Sequence, residues 1–244
     1  MHRLFTFAPA DYAAHYREHG YALVKGGVSG EFLDFIEAEL ANCEREQDDI
    51  SSRFDKRGRK QQYLFNFPEE LPLVTELAST MGRLTGVPSD ELVISERHIK
   101  VYPVDARPDP PPHKDRRASQ IALGIPIVNP PEARLFLYPH HQRFENPFDS
   151  YDEFVRSLPE ADRPENSLKG VSPVVVDTHP GDLIVFEGSS IYHERMRAAG
   201  SKILYLKMNA LGLNPIGENL SMLPLATTRQ PHGRGETIGE FETV

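Results

Sequence analysis

SPVVVDTHPGDLIVFEGSSIYHERMRAAGSKILYLKMN, residues 172–209, holds three short apolar runs separated by turn-forming residues. We predict strands over Ser172–Asp177, Asp182–Phe186 and Lys202–Asn209, because apolar residues, many of them β-branched, dominate these runs. Pro180-Gly181 lies between the first two runs, where the chain must turn. Short, closely spaced strands with such breaks are typical of a β-sandwich, a jelly roll or a barrel.

The same pattern of short apolar runs separated by turn-forming residues begins near residue 91. Three earlier runs predict further strands, over Leu92–Tyr102, Ile121–Val128 and Ala133–Tyr138. A polar insert over 139–171 follows them, and its Ser150-Tyr-Asp-Glu153 has the capping-box pattern of a small helix over 151–158. The C-terminal half is therefore predicted to be a set of short strands with one polar insert.

The N-terminal part instead shows helical spacing, with apolar side chains three and four residues apart in three segments. The predicted helices begin near Pro9 and end at Gly20, run through Phe32–Cys43, and span 68–84. We predict one α+β domain over 1–244, mainly β. In it, 1–90 gives mainly helical support, 91–210 forms the β core, and 225–244 is a polar tail.

The segment 44–60, EREQDDISSRFDKRGRK, is strongly charged. Such runs are usually solvated loops, which is the simpler interpretation. A mobile flap over a site is the alternative.

Composition excludes several classes of protein. Acidic residues outnumber basic ones, 36 to 27, and this disfavours nucleic acid and anionic membranes as partners. No apolar run approaches the roughly 20 residues that span a bilayer. The one cysteine, Cys43, rules out an internal disulfide framework and a Cys-rich zinc site, so we expect a cytoplasmic protein.

A candidate metal site is predicted by His113-Lys-Asp115, which follows a Pro-rich bend and precedes a strand. Residues i and i+2 of an extended chain point to the same side, so His113 and Asp115 can face one metal ion. A second histidine, His193, comes after a turn, an apolar strand and another turn. Two histidines and one carboxylate on one face, with three open positions, form the facial triad of non-haem Fe(II) oxygenases.

A basic residue follows the second histidine. Lys202 lies nine positions beyond His193, at the head of a predicted strand. A cation buried beside a metal site needs an anionic partner, and the distal carboxylate of 2-oxoglutarate provides one. An interstrand salt bridge at Lys202 is the alternative.

These motifs resemble the bacterial phytanoyl-CoA dioxygenase-like family of Fe(II)/2-oxoglutarate oxygenases. The similarity covers most of the chain and includes further motifs besides the three candidate ligands. These are the helix-strand entry over 16–24, Leu135-Phe-Leu-Tyr-Pro-His-His141 and Pro180-Gly-Asp182 with Phe186. The resemblance implies a double-stranded β-helix (a cupin-like jelly roll) braced by N-terminal helices, with iron bound by His113, Asp115 and His193.

Two positions depart from the family pattern. The family usually has an arginine about eleven positions after the distal histidine, where this chain has Lys202 at nine. It often has a small hydroxyl residue two positions after that histidine, where this chain has Arg195. Arg195, Arg197 and Lys207 therefore compete with Lys202 for the co-substrate, and we rank Lys202 first because it heads a core strand.

Other polar residues are candidates for substrate contact. By strand alternation Glu96, His98, Lys100 and Tyr102 share one face, which either lines the barrel or meets solvent. Arg117 has the parity of His113 and Asp115, so alternation predicts that Arg117 points inward and Arg116 outward. We therefore assign His98, Tyr102 and Arg117 to the substrate.

The resulting hypothesis is an Fe(II)/2-oxoglutarate-dependent dioxygenase, most simply a hydroxylase, that uses O2 and releases succinate and CO2. Asp115 argues against halogenation, because related halogenases leave that position empty for chloride. No long apolar pocket signature indicates a lipid, so we expect a small, polar or anionic substrate. A cupin-like isomerase or hydrolase and a non-catalytic jelly-roll binding protein are the alternatives.

Overall fold

The computed structural model describes residues 3–46, 52–55, 60–67, 71–106 and 110–218. Within these ranges the helices are α1 (Ala10–His19), α2 (Gly30–Glu46), α3 (Leu71–Thr85), α4 (Tyr151–Ser157) and α5 (Pro164–Ser167), with a 3-10 turn over Glu160–Asp162. None of these helices has the length and apolar character needed to cross a bilayer.

Ten strands are found within the same ranges. They are β1 (Tyr21–Val24), β2 (Ser52–Asp55), β3 (Lys60–Leu64), β4 (Val93–Val101), β5 (Ile121–Val128), β6 (Arg134–Tyr138), β7 (Val174–Val176), β8 (Leu183–Phe186), β9 (Tyr192–Met196) and β10 (Lys202–Asn209). The described strands form a seven-stranded sheet in the order β1-β8-β5-β10-β4-β3-β2 and a three-stranded sheet in the order β7-β6-β9. All the pairings between them are antiparallel.

Strand alternation builds a core on each side of the large sheet. On one side, Leu123, Val185 and Leu206 pack with Phe32 of α2 and Leu77 of α3. Successive side chains of a strand point to opposite faces, so these three residues belong to one face of the large sheet. The N-terminal helices cover that face.

The opposite face of the large sheet packs on the small sheet. Ala122, Ile184 and Phe186 join Leu135 and Leu137 of β6 in a second apolar cluster. The mainly β architecture with helices on one sheet, as predicted, is confirmed.

Two local predictions rest on end-capping chemistry. Gly20 ends α1 in the left-handed conformation (φ 73°), and its N–H donates to the carbonyl of Tyr16. Ser150 caps α4, because its side-chain oxygen accepts the N–H of Glu153 at 3.1 Å. Both helix boundaries follow from residues that the sequence analysis identified.

The structure adds three strands that the sequence did not predict. β2 and β3 fall in and just after the charged segment 44–60, part of which therefore extends the large sheet. The third is β9, where Tyr192–Met196 pairs with β6 although no strand was predicted between Phe186 and Lys202. The predicted tail over 225–244 lies outside the described residues.

Candidate metal centre and cavity

His113, Asp115 and His193 lie together. One ligand atom of each lies within 4.8 Å of the others. His193 Nε2 is 3.8 Å from Asp115 Oδ2, and the two imidazole centroids are 4.5 Å apart. This is the grouping that the sequence predicted.

Backbone pairing produces this grouping. The N–H of His113 donates to the carbonyl of His193, the N–H of His193 donates to the carbonyl of His113, and both distances are 2.9 Å. The N–H of Asp115 donates to the carbonyl of Gly188 at 2.8 Å. The segment 113–115 is thus held against the end of β8 and the start of β9.

Both imidazoles are oriented through their Nδ1 atoms. His113 Nδ1 is 2.9 Å from the carbonyl oxygen of Pro111, and His193 Nδ1 is 3.0 Å from that of Ile191. A carbonyl oxygen only accepts, so each Nδ1 carries the proton and each Nε2 keeps its lone pair. This tautomer is the one that metal-binding histidines adopt when the second nitrogen is anchored.

The carboxylate of Asp115 has one satisfied and one unsatisfied oxygen. Lys207 Nζ donates to Oδ1 at 2.7 Å. Oδ2 is buried and has no hydrogen-bond partner. A buried acceptor without a donor is costly, and a metal ion held by Oδ2 and the two Nε2 atoms would satisfy it. The donor set therefore fits a divalent metal.

Burial and charge keep these three groups in metal-binding form. Burial, and then the neighbouring His193, lowers the pKa of His113 to about 3. Burial also lowers the pKa of His193. For Asp115, burial alone would raise the pKa, but the ammonium of Lys207 and then the two histidines lower it to about 2. Neutral imidazoles and an ionised carboxylate are the protonation states that bind metal.

Gly188 is a site residue that the sequence analysis missed. A Cβ placed on it would lie 2.7 Å from Asp115 Oδ2 and 2.7 Å from the carbonyl oxygen of Ser119. No real Cβ approaches so closely, so only glycine leaves Oδ2 in this position. The sequence offered one indication of this role, which is that a glycine stands at position 188 in the turn between β8 and His193.

A cavity opens beside the three residues, and its empty space, counted together with the part open to solvent, is about 460 Å³. Its wall includes four cationic side chains, Lys60, Lys100, Arg195 and Lys207, together with Tyr102 and Tyr205. Apolar residues of both sheets, such as Leu135 and Phe186, complete it. The cavity thus lies between the sheets, and cations outnumber acids among its lining residues.

Arg195 is buried in this wall, with 4% of its surface exposed. Its Nε donates to the hydroxyl of Tyr205 at 3.2 Å and its Nη1 to Asn129 Oδ1 at 3.3 Å. Both partners are neutral, and no acidic partner is found for Arg195 within the described part of the chain. A buried guanidinium in this state favours an anionic ligand.

Lys202, our first choice for the co-substrate, does not line the cavity. It has the parity of Leu204 and Leu206, which pack in the core on the helix side of the large sheet. Tyr205 and Lys207 have the opposite parity and face the cavity. Alternation therefore places Lys202 on the face of β10 that points away from the cavity.

The prediction for Arg116 and Arg117 is reversed by the structure. Arg117 is exposed, whereas Arg116 Nη2 pairs with the buried Glu96 Oε2 at 3.2 Å. The N–H of Ser119 donates to the carbonyl of Arg116, so the chain turns here and β5 begins only at Ile121. Strand parity does not apply in a turn, which is why the extrapolation failed.

The shared face of β4 is buried rather than solvent-exposed. Glu96, His98, Lys100 and Tyr102 are each exposed by less than a tenth. Lys100 and Tyr102 line the cavity, whereas His98 is not among its lining residues and lies 2.9 Å from Glu218. Two of the four residues on this face therefore reach the cavity.

No family model matches this chain, and no curated protein matches its sequence. Solved structures do match it in three dimensions. SnoN, a non-haem α-ketoglutarate-dependent epimerase from nogalamycin biosynthesis, has a TM-score of 0.58 at 17% identity, over 82% of this chain and 83% of that chain.

Two further structures show the same likeness. A Pseudomonas putida prolyl-4-hydroxylase has a TM-score of 0.54 at 15% identity, over 82% of this chain and 97% of that chain. HygX from Streptomyces hygroscopicus, solved with nickel, 2-oxoglutarate and hygromycin B, has a TM-score of 0.54 at 14% identity, over 85% of this chain and 89% of that chain. These likenesses confirm the jelly-roll fold.

Proposed function

We propose that this protein is an Fe(II)/2-oxoglutarate-dependent dioxygenase that hydroxylates a small anionic metabolite. The observation that carries the proposal is the buried, unpartnered Oδ2 of Asp115 beside two histidines with free Nε2 atoms. Two imidazoles and one carboxylate with open positions are typical of non-haem Fe(II) oxygenases. Two proteins of similar fold support it, since HygX holds nickel together with 2-oxoglutarate and SnoN is α-ketoglutarate-dependent.

The chain's own residues have separate roles in this proposal. His113, Asp115 and His193 hold the metal, which together with 2-oxoglutarate and O2 supplies the oxidising chemistry. Arg195, assisted by the hydroxyl of Tyr205, binds the distal carboxylate of 2-oxoglutarate. The apolar wall, including Phe186 and Leu135, limits the access of water to the site.

The charge of the cavity supports an anionic substrate. Lys60, Lys100, Arg195 and Lys207 line it, against one lining acid, Asp115. Lys100 is balanced by Glu96 at 2.9 Å and Lys207 by Asp115. Cations therefore outnumber acids among the residues that line the cavity, and this favours a carboxylate or phosphate on the substrate. Tyr102, beside Lys60, is a further contact for such a substrate.

The phytanoyl-CoA dioxygenase-like subfamily is the relationship that we propose within these oxygenases. It is supported by the order His113-x-Asp115, Pro180-Gly-Asp182 and His193 along the chain. The position of Arg195 departs from that subfamily's usual pattern. In this proposal Arg195 takes over the role of the missing arginine on the last strand.

The test is succinate formation with Fe(II), O2 and 2-oxoglutarate across a metabolite panel, in which each acid is paired with its neutral amide. We expect substrate-stimulated succinate formation and a product heavier by one oxygen, with acids preferred over amides. The variant His193→Ala is the matched control and should form no succinate. A metal-dependent reaction that ignores 2-oxoglutarate would instead indicate a cupin-like isomerase or hydrolase. Binding without turnover would indicate a binding protein.

A further inference from the structure

We infer that Lys207 is a positioning residue that occupies Oδ1 of Asp115 and so restricts this carboxylate to a single metal-binding oxygen. The inference deepens the proposed function, since it rests on the metal site described above. A carboxylate can bind a metal through one oxygen or through both. Each choice leaves a different number of open positions for co-substrate and O2.

The contact is short, buried and directional. Lys207 Nζ lies 2.7 Å from Asp115 Oδ1, and only 8% of the surface of each residue is exposed. Oδ2, on the other side of the carboxylate, has no hydrogen-bond partner. The two oxygens of one side chain therefore have different surroundings: one is held by a cation and the other is left for the metal.

The ammonium itself is held from behind by a second acid. Lys207 on β10 stands directly opposite Glu96 on β4, and Nζ is 3.5 Å from Glu96 Oε2. Glu96 also pairs with Lys100 at 2.9 Å and with Arg116 at 3.2 Å. A long, flexible lysine side chain is thus fixed between two carboxylates.

The backbone of Asp115 does not depend on this lysine. Its N–H donates to the carbonyl of Gly188 at 2.8 Å, and its carbonyl accepts Asn146 Nδ2 at 2.9 Å. Removing the ammonium should therefore leave Asp115 in place and free only its Oδ1. A positioning role can thus be separated from a role in folding.

Charge alone does not account for a lysine here. A cation beside a metal site repels the metal, so the ammonium lowers metal affinity. The lysine offsets this loss of metal affinity by restricting the carboxylate to one metal-binding oxygen. The third open position of the facial triad is thereby preserved.

Mn²⁺ alone is the probe, because it needs neither substrate nor turnover. Water-proton relaxation reports the metal-bound waters, and a titration gives the Mn²⁺ affinity. The variants are Lys207→Met, Lys207→Arg and, as the matched control on the opposite, helix-covered face of the same strand, Lys202→Met. Circular dichroism verifies folding, and Lys207→Gln replaces the methionine variant if that variant does not fold.

In Lys207→Met we expect Asp115 to bind through both oxygens. Bound waters should fall from three to two, so the relaxivity per bound Mn²⁺ should drop by about a third. Affinity should be equal or higher, by roughly tenfold, because a repelling charge is gone. Lys207→Arg should restore the relaxivity of the unaltered protein, and Lys202→Met should not change it.

An unchanged or higher relaxivity in Lys207→Met, or a weaker Mn²⁺ affinity, would overturn the inference, because it would mean that the lysine only keeps Asp115 in place. The proposed function is tested separately. A protein that binds Mn²⁺ but never consumes 2-oxoglutarate would refute the oxygenase proposal and leave the relaxivity comparison valid. Failure of the unaltered protein to bind Mn²⁺ would refute both.

Discussion

The backbones of His113 and His193 are joined by two reciprocal hydrogen bonds of 2.9 Å. One antiparallel bridge thereby joins His113 to β9 at the edge of the small sheet, and both imidazoles project from paired positions. Main-chain groups make this arrangement, so it does not depend on the imidazoles themselves. The metal site is accordingly preformed by the sheet.

This relationship predicts that loss of either imidazole removes the metal and spares the fold. His113→Ala and His193→Ala should each weaken Mn²⁺ binding by at least about 100-fold, since each removes one of three ligands. Melting temperature should change little because the backbone pair remains. The exposed His140, replaced by alanine, is the control and should bind Mn²⁺ normally. Normal binding by His193→Ala would refute the ligand assignment.

Arg195→Ala should raise the KM for 2-oxoglutarate far more than the KM for the substrate. Loss of one partner of a desolvated charge pair costs about 2–5 kcal/mol, or roughly 30- to 5,000-fold in affinity. Steady-state kinetics measure both constants. The exposed Arg197, two positions on, supplies the matched control Arg197→Gln, which should leave both unchanged. A similar rise in Lys202→Ala, with none in Arg195→Ala, would return the role to Lys202.

Gly188→Ala should damage the metal site and also lower stability, because the added Cβ would clash with the carbonyl oxygen of Ser119. The added Cβ would lie 2.7 Å from Asp115 Oδ2, so the carboxylate must move away from the metal position. We expect Mn²⁺ affinity to fall by at least about tenfold. Gly30→Ala, where a Cβ meets nothing within 4 Å, is the control. Equal Mn²⁺ affinity in both variants would show that Oδ2 is not a ligand.

Replacement of Arg116 should have a larger effect than replacement of Arg117, which is the opposite of what strand parity predicts. Arg116→Ala removes a partner of the buried Glu96 and should lower the melting temperature by roughly 2–4 °C. Arg117→Ala removes an exposed side chain and should alter neither stability nor the KM of the substrate. A raised substrate KM in Arg117→Ala alone would restore the original assignment.

Asp182 predicts a pH-dependent contribution to stability. Its carboxylate accepts the N–H of Gly26 at 2.9 Å, the ammonium of Lys25 at 2.9 Å and the N–H of His179 at 2.8 Å. Burial alone would raise the pKa of Asp182, but these donors outweigh it and lower the pKa. Asp182→Asn should cost about 2 kcal/mol near pH 7.

The sign of the pH effect follows from that lowered pKa. The stabilisation is complete above the unfolded-state pKa of about 4 and is lost as the pH falls through the lower folded-state pKa. Urea unfolding of the two proteins should therefore differ by a constant amount from pH 7 to 5 and by progressively less below about pH 4. A difference that grows on acidification would contradict this account.

Some of the fold and the site could be predicted because the signals are local. β5 and β10 have the bounds that their apolar runs predict, and Ser150 caps α4 through its own side chain. His113 and Asp115 were recognisable as a pair because their spacing matches the alternation of an extended chain. β2, β3 and β9 have no such local signal, because their sequences are polar or charged. They become strands only because their backbones pair with neighbouring strands.

The sequence by itself determined the strand-rich core, the helical support and the three candidate ligands, because periodicity and residue chemistry are properties of short segments. Only the tertiary structure decided which cations reach the cavity. Arg195 and Lys207 face it and Lys202 does not, because the pairing of β9 and β10 sets which face of each strand points inward. It also brought Gly188 against Asp115 and Lys207 against both Asp115 and Glu96, contacts between residues far apart in the chain.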